Sequence, residues 1–158
     1  MDIKLSGFDV VIIPDFGHGF ITDKMIKVLE TKSKYMAVNT QVNSGNRGYH
    51  AISRYSRADL VSLNEPELRL ATHNRYDSVE TLAEKVRQTV NAKHVSITRG
   101  TNGAIMLSRD KAEIHRAPVL SKKVIDRIGA GDAFLSLAGI GLGAGLSSEL
   151  TTFVASAA

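Results

Sequence analysis

In the stretch DRIGAGDAF, residues 126–134, three small residues lead directly into a carboxylate: Gly129, Ala130 and Gly131, then Asp132. Small residues at a helix start leave backbone N–H groups open to an anion, and let a phosphate come close to the chain. A carboxylate in the same place opposes an anion hole that merely binds. The two are compatible if one side holds a phosphate and the other removes a proton. Transfer of a phosphoryl group to an alcohol needs that combination.

Three other polar clusters hold candidate residues. DFGHG runs from Asp15 to Gly19, NEPE from Asn64 to Glu67, and TRGTNG from Thr98 to Gly103. Each alone is as readily turn chemistry as a site. Asp15 can cap a strand end, and Asn64 can cap a helix with Pro66 in its first turn and Glu67 favouring its positive end.

The elements that must position these clusters alternate. DVVIIP (Asp9 to Pro14), YMAVN (Tyr35 to Asn39), DLVSL (Asp59 to Leu63) and HVSIT (His94 to Thr98) have the short apolar composition of buried strands. Ile21, Met25, Ile26 and Leu29 recur at helical spacing behind a capping Thr22. A polar loop, NTQVNSGNRG, precedes a short helix near Tyr49 to Tyr55. Val79, Leu82, Ala83, Val86 and Val90 form an amphipathic helix stripe.

AIMLS and AEIHRA read as a hairpin across residues 109–111, KVIDRI leads to the opening motif and its helix, and Ser147 caps a last helix over residues 148–157. The class is therefore α/β, a mainly parallel sheet flanked by helices, over one partial domain, residues 1–158. Ligands in such sheets sit at the carboxyl ends of the strands, where the four clusters fall.

Composition narrows the chemistry. The 158 residues contain no cysteine, which excludes a disulfide framework, a zinc ribbon and a thiol nucleophile. The formal charge of +4 comes without a basic block, so phosphates suit the chain and nucleic acid is not expected. The longest uncharged run, Ala133 to Ser148, is too short for a membrane span and suits a buried helix. With no leader pattern at the N-terminus, a cytoplasmic location is expected. GIGLGAG contains a G-x-G-x-x-A match inside a helical run, where close packing accounts for the glycines better than a dinucleotide does.

Taken in order, the four clusters resemble the motifs of the ribokinase-like (PfkB) carbohydrate kinases. DRIGAGDAF is similar to that family's second signature, NEPE to its N-x-x-E motif, and TRGTNGA to its nucleotide loop. DFGHG is similar to the D-Y-G-K-G of the heptose-phosphate kinase branch. The resemblance implies ATP-dependent phosphorylation of a sugar or sugar-phosphate hydroxyl. In it Asp132 is the base, the N–H groups at Gly129, Ala130 and Gly131 form the anion hole, and Thr98, Gly100 and Gly103 line the nucleotide. Asn64 and Glu67 position Mg²⁺ and phosphate, Asp126 and the backbone of Ile128 match a monovalent-cation loop, and Asp15 stands at the rim. The branch also implies a parent fused to a nucleotidyltransferase domain.

Three positions depart from the family pattern: Arg127 replaces Thr or Ser, Asn39-Thr40 replaces Asp-Pro, and His18 replaces Lys. Two other readings stay open, a nucleoside or vitamin-precursor kinase of the same fold and a non-catalytic nucleotide- or phosphosugar-binding module. VASAA ends inside a helical pattern, so the chain is expected to be the C-terminal, nucleotide-binding part of such a kinase, without the N-terminal substrate and lid half. Alone it is expected to be inactive and to self-associate as a homodimer through an exposed strand edge.

Overall fold

The computed structural model describes residues 5–42, 45, 49–109, 113–120 and 129–157. Among them, six strands form one sheet in chain order: β1 (Val10–Asp15), β2 (Tyr35–Thr40), β3 (Ala58–Asn64), β4 (Ala92–Thr98), β5 (Ala104–Ser108) and β6 (Ile114–Ala117). The first four are parallel, and β4–β5 and β5–β6 pair antiparallel. The change of direction follows from the connections. Long crossovers bring β2, β3 and β4 back in the same sense, whereas the short turns before β5 and β6 can only make hairpins.

The helices are α1 (Asp23–Lys32), α2 (Glu65–Thr72), α3 (Val79–Thr89), α4 (Ala130–Gly143) and α5 (Ser148–Ala155). The predicted helix near residues 49–55 is a single 3-10 turn, Ile52–Arg54, because its flanks at Ala51 and Tyr55 are extended. The run KVIDRI lies outside the described residues.

Helices cover the two faces of the sheet separately. Ile26 and Leu29 of α1, Leu68 of α2, and Val79, Leu82, Ala83 and Val86 of α3 pack with Val38, Val61, Val95 and Ile97 on one face. Phe134, Leu135, Ala138 and Leu142 of α4 and Ala155 of α5 pack with Ala37, Leu60, Ala104 and Met106 on the other. Alternate strand residues point to opposite faces, so both must be apolar, as the sequences of the inner strands provide.

α4 runs against the strand direction and close to the sheet. A Cβ on Gly139 would stand 3.0 Å from the Cβ of Ala37, and one on Gly143 would overlap the side chain of Val10 at the start of β1. Gly139, Gly141 and Gly143 of GIGLGAG therefore serve packing, while Gly145 takes a left-handed turn at φ 86° in open space. With Gly143 at the amino end of β1, the opposite end of α4 reaches the carboxyl ends of the strands. The amino ends are tied by the buried Asp59, which accepts from the Met36 N–H and from Arg57, both at 2.8 Å, and lies 2.8 Å from Lys93.

Candidate active site

The carboxyl ends of the parallel strands are level. Asp15 of β1 pairs with Thr40 of β2, and Asn64 of β3 pairs with Thr98 of β4. The ladder extends one rung beyond β2, where the Gln41 N–H donates to the Asp15 carbonyl at 2.9 Å. The described residues of all four polar clusters meet this rim.

The start of α4 differs from the other helix starts. Thr22, Asn64, Ser78 and Ser147 each cap their helix with a side-chain oxygen. α4 begins instead at Gly129, in the left-handed region at φ 87°, with no side-chain cap. The following N–H groups are thus available to an anion. Gly129, Ala130 and Gly131 are exposed, and added Cβ atoms at Gly129 and Gly131 would meet open space. Asp132 follows in the first turn, half-buried, and its Oδ1 accepts a hydrogen bond from Gln41 Nε2 at 2.8 Å.

Asn64 and Glu67 form a complete capping box on α2. The Glu67 N–H donates to Asn64 Oδ1 at 2.8 Å, and the Asn64 N–H donates to Glu67 Oε2 at 2.9 Å. The other oxygen, Oε1, accepts a long bond of 3.4 Å from the Val42 N–H. The bland reading of NEPE as a cap is therefore realised. It accounts for the backbone of α2 but not for the location of the carboxylate, which is buried beside Asp132. Burial pushes the Glu67 carboxyl above the usual range, against the pull of the donors at Asn64 and Val42, and the Asp132 charge adds to the rise.

Thr98 ends β4 half-buried and leads into a 3-10 turn, Gly100–Asn102. Gly100 and Gly103 both have positive φ, 54° and 75°. Gly103 has a packing reason of its own, since a Cβ there would overlap the Ala117 carbonyl oxygen of β6. Arg69 and, less strongly, Arg99 share Glu65 beside this turn, at 2.7 and 3.4 Å, and hold its carboxyl below the usual range.

Asp15 is 3% exposed and densely bonded. It accepts from Tyr55 Oη at 2.9 Å, the Gly17 N–H at 3.1 Å and Arg54 Nη1 at 3.4 Å. His50 Nε2 stands 3.1 Å from its Oδ1, off the line of a hydrogen bond. Arg54 also approaches His50 Nδ1 at 3.2 Å; an arginine can only donate, so Nδ1 accepts. Burial, followed by the hydrogen bond to Asp15, raises the Tyr55 hydroxyl well above its ordinary value.

Asp126 and Ile128 lie outside the described residues. Among the described residues no three His, Asp or Glu side chains form a cage for a metal ion. Sequence reasoning missed Gln41 and Val42, which lie in a loop recognisable only as polar, and the trio His50, Arg54 and Tyr55, whose spacing carries no motif.

The bifunctional protein HldE of Pelobacter propionicus is 30% identical over 144 residues, which cover 89% of this chain and 29% of that protein. The chain thus spans less than a third of that relative. Phosphofructokinase-2 from Escherichia coli, in complex with substrates and products, superimposes with a TM-score of 0.72 at 19% identity, over 86% of this chain and 43% of that one. Ribokinase from Arabidopsis thaliana, complexed with ribose and ATP, gives 0.71 at 19% identity, over 98% and 49%. Both share the ribokinase-like fold. The profile of the pfkB family carbohydrate kinases matches residues 5–158, and the chain belongs to that family.

Proposed function

We propose that the chain is the nucleotide-binding part of a longer kinase that transfers the γ-phosphoryl group of ATP to a sugar hydroxyl. The observation that carries this reading is the pairing of Asp132 with the uncapped start of α4 at the carboxyl rim of the sheet. Asp132 takes the proton of the acceptor hydroxyl as its oxygen bonds to phosphorus. The bond to the β-phosphate breaks and ADP leaves. The N–H groups at Gly129, Ala130 and Gly131 hold the phosphoryl oxygens during the transfer. A general base contributes ~10²–10⁴-fold.

Thr98, Gly100 and Gly103 border the nucleotide in this reading, and Asp15 stiffens the rim from below. The donor set at Glu67 fits Mg²⁺ held through water. It offers hard oxygens, a buried carboxylate beside a second one and, among the described residues, no closed protein cage, which suits an ion that keeps several waters. Asn64 and Glu67 would hold it, and Mg²⁺ when bound supplies positive charge to the phosphates. Asp126 and Ile128 are the proposed monovalent-cation loop.

The relative's name, a bifunctional protein, supports a parent fused to a second domain, here proposed as a nucleotidyltransferase. The proposed acceptor is a phosphorylated heptose and the proposed location the cytoplasm. No helix among the described residues is long and apolar enough to cross a membrane. The isolated chain is expected to bind ATP or ADP weakly and to show no sugar-dependent turnover.

The test is Asp132→Asn in the full-length parent, with ATP binding followed by calorimetry and ADP release by a coupled assay. The expected outcome is loss of transfer with binding retained. Wild-type turnover in the variant would overturn the assignment of the base.

A further inference from the structure

Gln41 stands one residue beyond β2, and its backbone is the last rung of the sheet, bonded to the Asp15 carbonyl at 2.9 Å. Its side chain therefore leaves from a fixed point. That side chain crosses to α4, an element 91 residues away in sequence, and donates to Asp132 Oδ1 at 2.8 Å. A carboxylate only accepts, so the amide nitrogen must be the end that faces it. The next residue, Val42, donates its N–H to Glu67 at 3.4 Å. One dipeptide thus touches both carboxylates of the site, through a side chain to one and the backbone to the other.

A carboxylate acting as a base must present a chosen oxygen to the acceptor. The terminal torsion of an aspartate is broad, and nothing intrinsic to the residue fixes it. A hydrogen bond to one oxygen removes that freedom and leaves the second oxygen for the proton. Building on the proposed function, we propose that Gln41 is the positioning residue of the base: its amide holds Oδ1 of Asp132 and so sets the direction in which the other oxygen meets the acceptor hydroxyl. The arrangement also explains why the rim needs a long side chain there. The gap from the end of β2 to the first turn of α4 is spanned by an amide on a two-methylene stem.

The test compares Gln41→Met, which keeps length without a donor, and Gln41→Asn, which keeps the amide but draws it back by one methylene, in the full-length parent. Hydrogen bonds to charged groups are strong enough that kcat is expected to fall about tenfold or more in each variant. KM for ATP is expected to stay within about twofold, since the amide touches the base and not Thr98, Gly100 or Gly103, which border the nucleotide. A purely structural role would raise KM along with lowering kcat.

If Gln41→Met fails to fold, Gln41→Asn decides, because it adds no charge and keeps a polar amide at a half-buried position. Unchanged kcat in a folded variant, or a loss carried by KM, would overturn the inference. Asp132→Asn in the same assay separates the two levels. If that variant remains active, the reading of the base fails. If it is inactive while the Gln41 variants turn over normally, only the positioning role fails.

Discussion

The carbonyl oxygen of Ala117 fills the space in which a side chain on Gly103 would begin. The backbone of Gly103, at φ 75° and ψ −145°, is also in a region that suits glycine alone. Gly103→Ala is therefore expected to destabilise the fold by about 2–5 kcal/mol, from backbone strain and overpacking together. Gly100→Ala meets open space and bears only the strain of φ 54°, about 1–2 kcal/mol. Urea unfolding of the two variants checks the contrast. Equal costs would show that β6 does not constrain Gly103.

The network at Asp15 gives a second expectation. Asp15→Ala strips a buried partner from Tyr55 and Arg54. A loss of about 3–5 kcal/mol follows, as for other broken buried charge pairs. Tyr55→Phe removes one of several donors and is expected to cost about 1–2 kcal/mol. Denaturant midpoints of both variants measure this. A cost below 1 kcal/mol for Asp15→Ala would mean that the network does little for the fold.

Glu67 predicts a pH dependence. Its carboxyl is raised above the ordinary glutamate value of 4.5, mainly by burial. The folded chain therefore keeps this proton after the unfolded chain has lost it. Stability from this group is fully present below 4.5 and is lost as pH climbs through the raised value. Unfolding free energies of the wild type and Glu67→Gln, measured from acid to neutral pH, should show the wild type losing ground to the variant as pH rises. The opposite slope would contradict the burial of an unrelieved charge.

Much of the fold was legible because local chemistry and tertiary structure agree. The strands at Tyr35, Ala58 and Ala92 are apolar runs, and the buried stripe of α3 has the predicted members. Thr22 and Ser147 cap helices where capping chemistry places them. Asp15, Asn64 and Thr98 also fall on the expected rim, since each ends a parallel strand. The contacts between them were not legible. Gln41 reaches Asp132 across 91 residues, and no local pattern encodes a pairing of that range. The buried state of Asp15 depends in the same way on Arg54 and Tyr55, two otherwise ordinary residues of a loop.

The two margins of the sheet are not alike. β6 is four residues long and bears His115 and Arg116, features that discourage a further strand. β1 is longer, reads VVIIPD, and adjoins an open apolar groove of about 540 Å³ that includes Val11, Ile13, Phe20 and Met25. Each isolated copy thus has one sticky margin and one blunt one. Joining β1 to β1 of a second copy about a two-fold axis would use up both sticky margins, so growth stops at two and no fibre can propagate. Sedimentation of the isolated chain should then show a monomer–dimer equilibrium. A continuous ladder of larger species would mean that the β6 margin is adhesive as well.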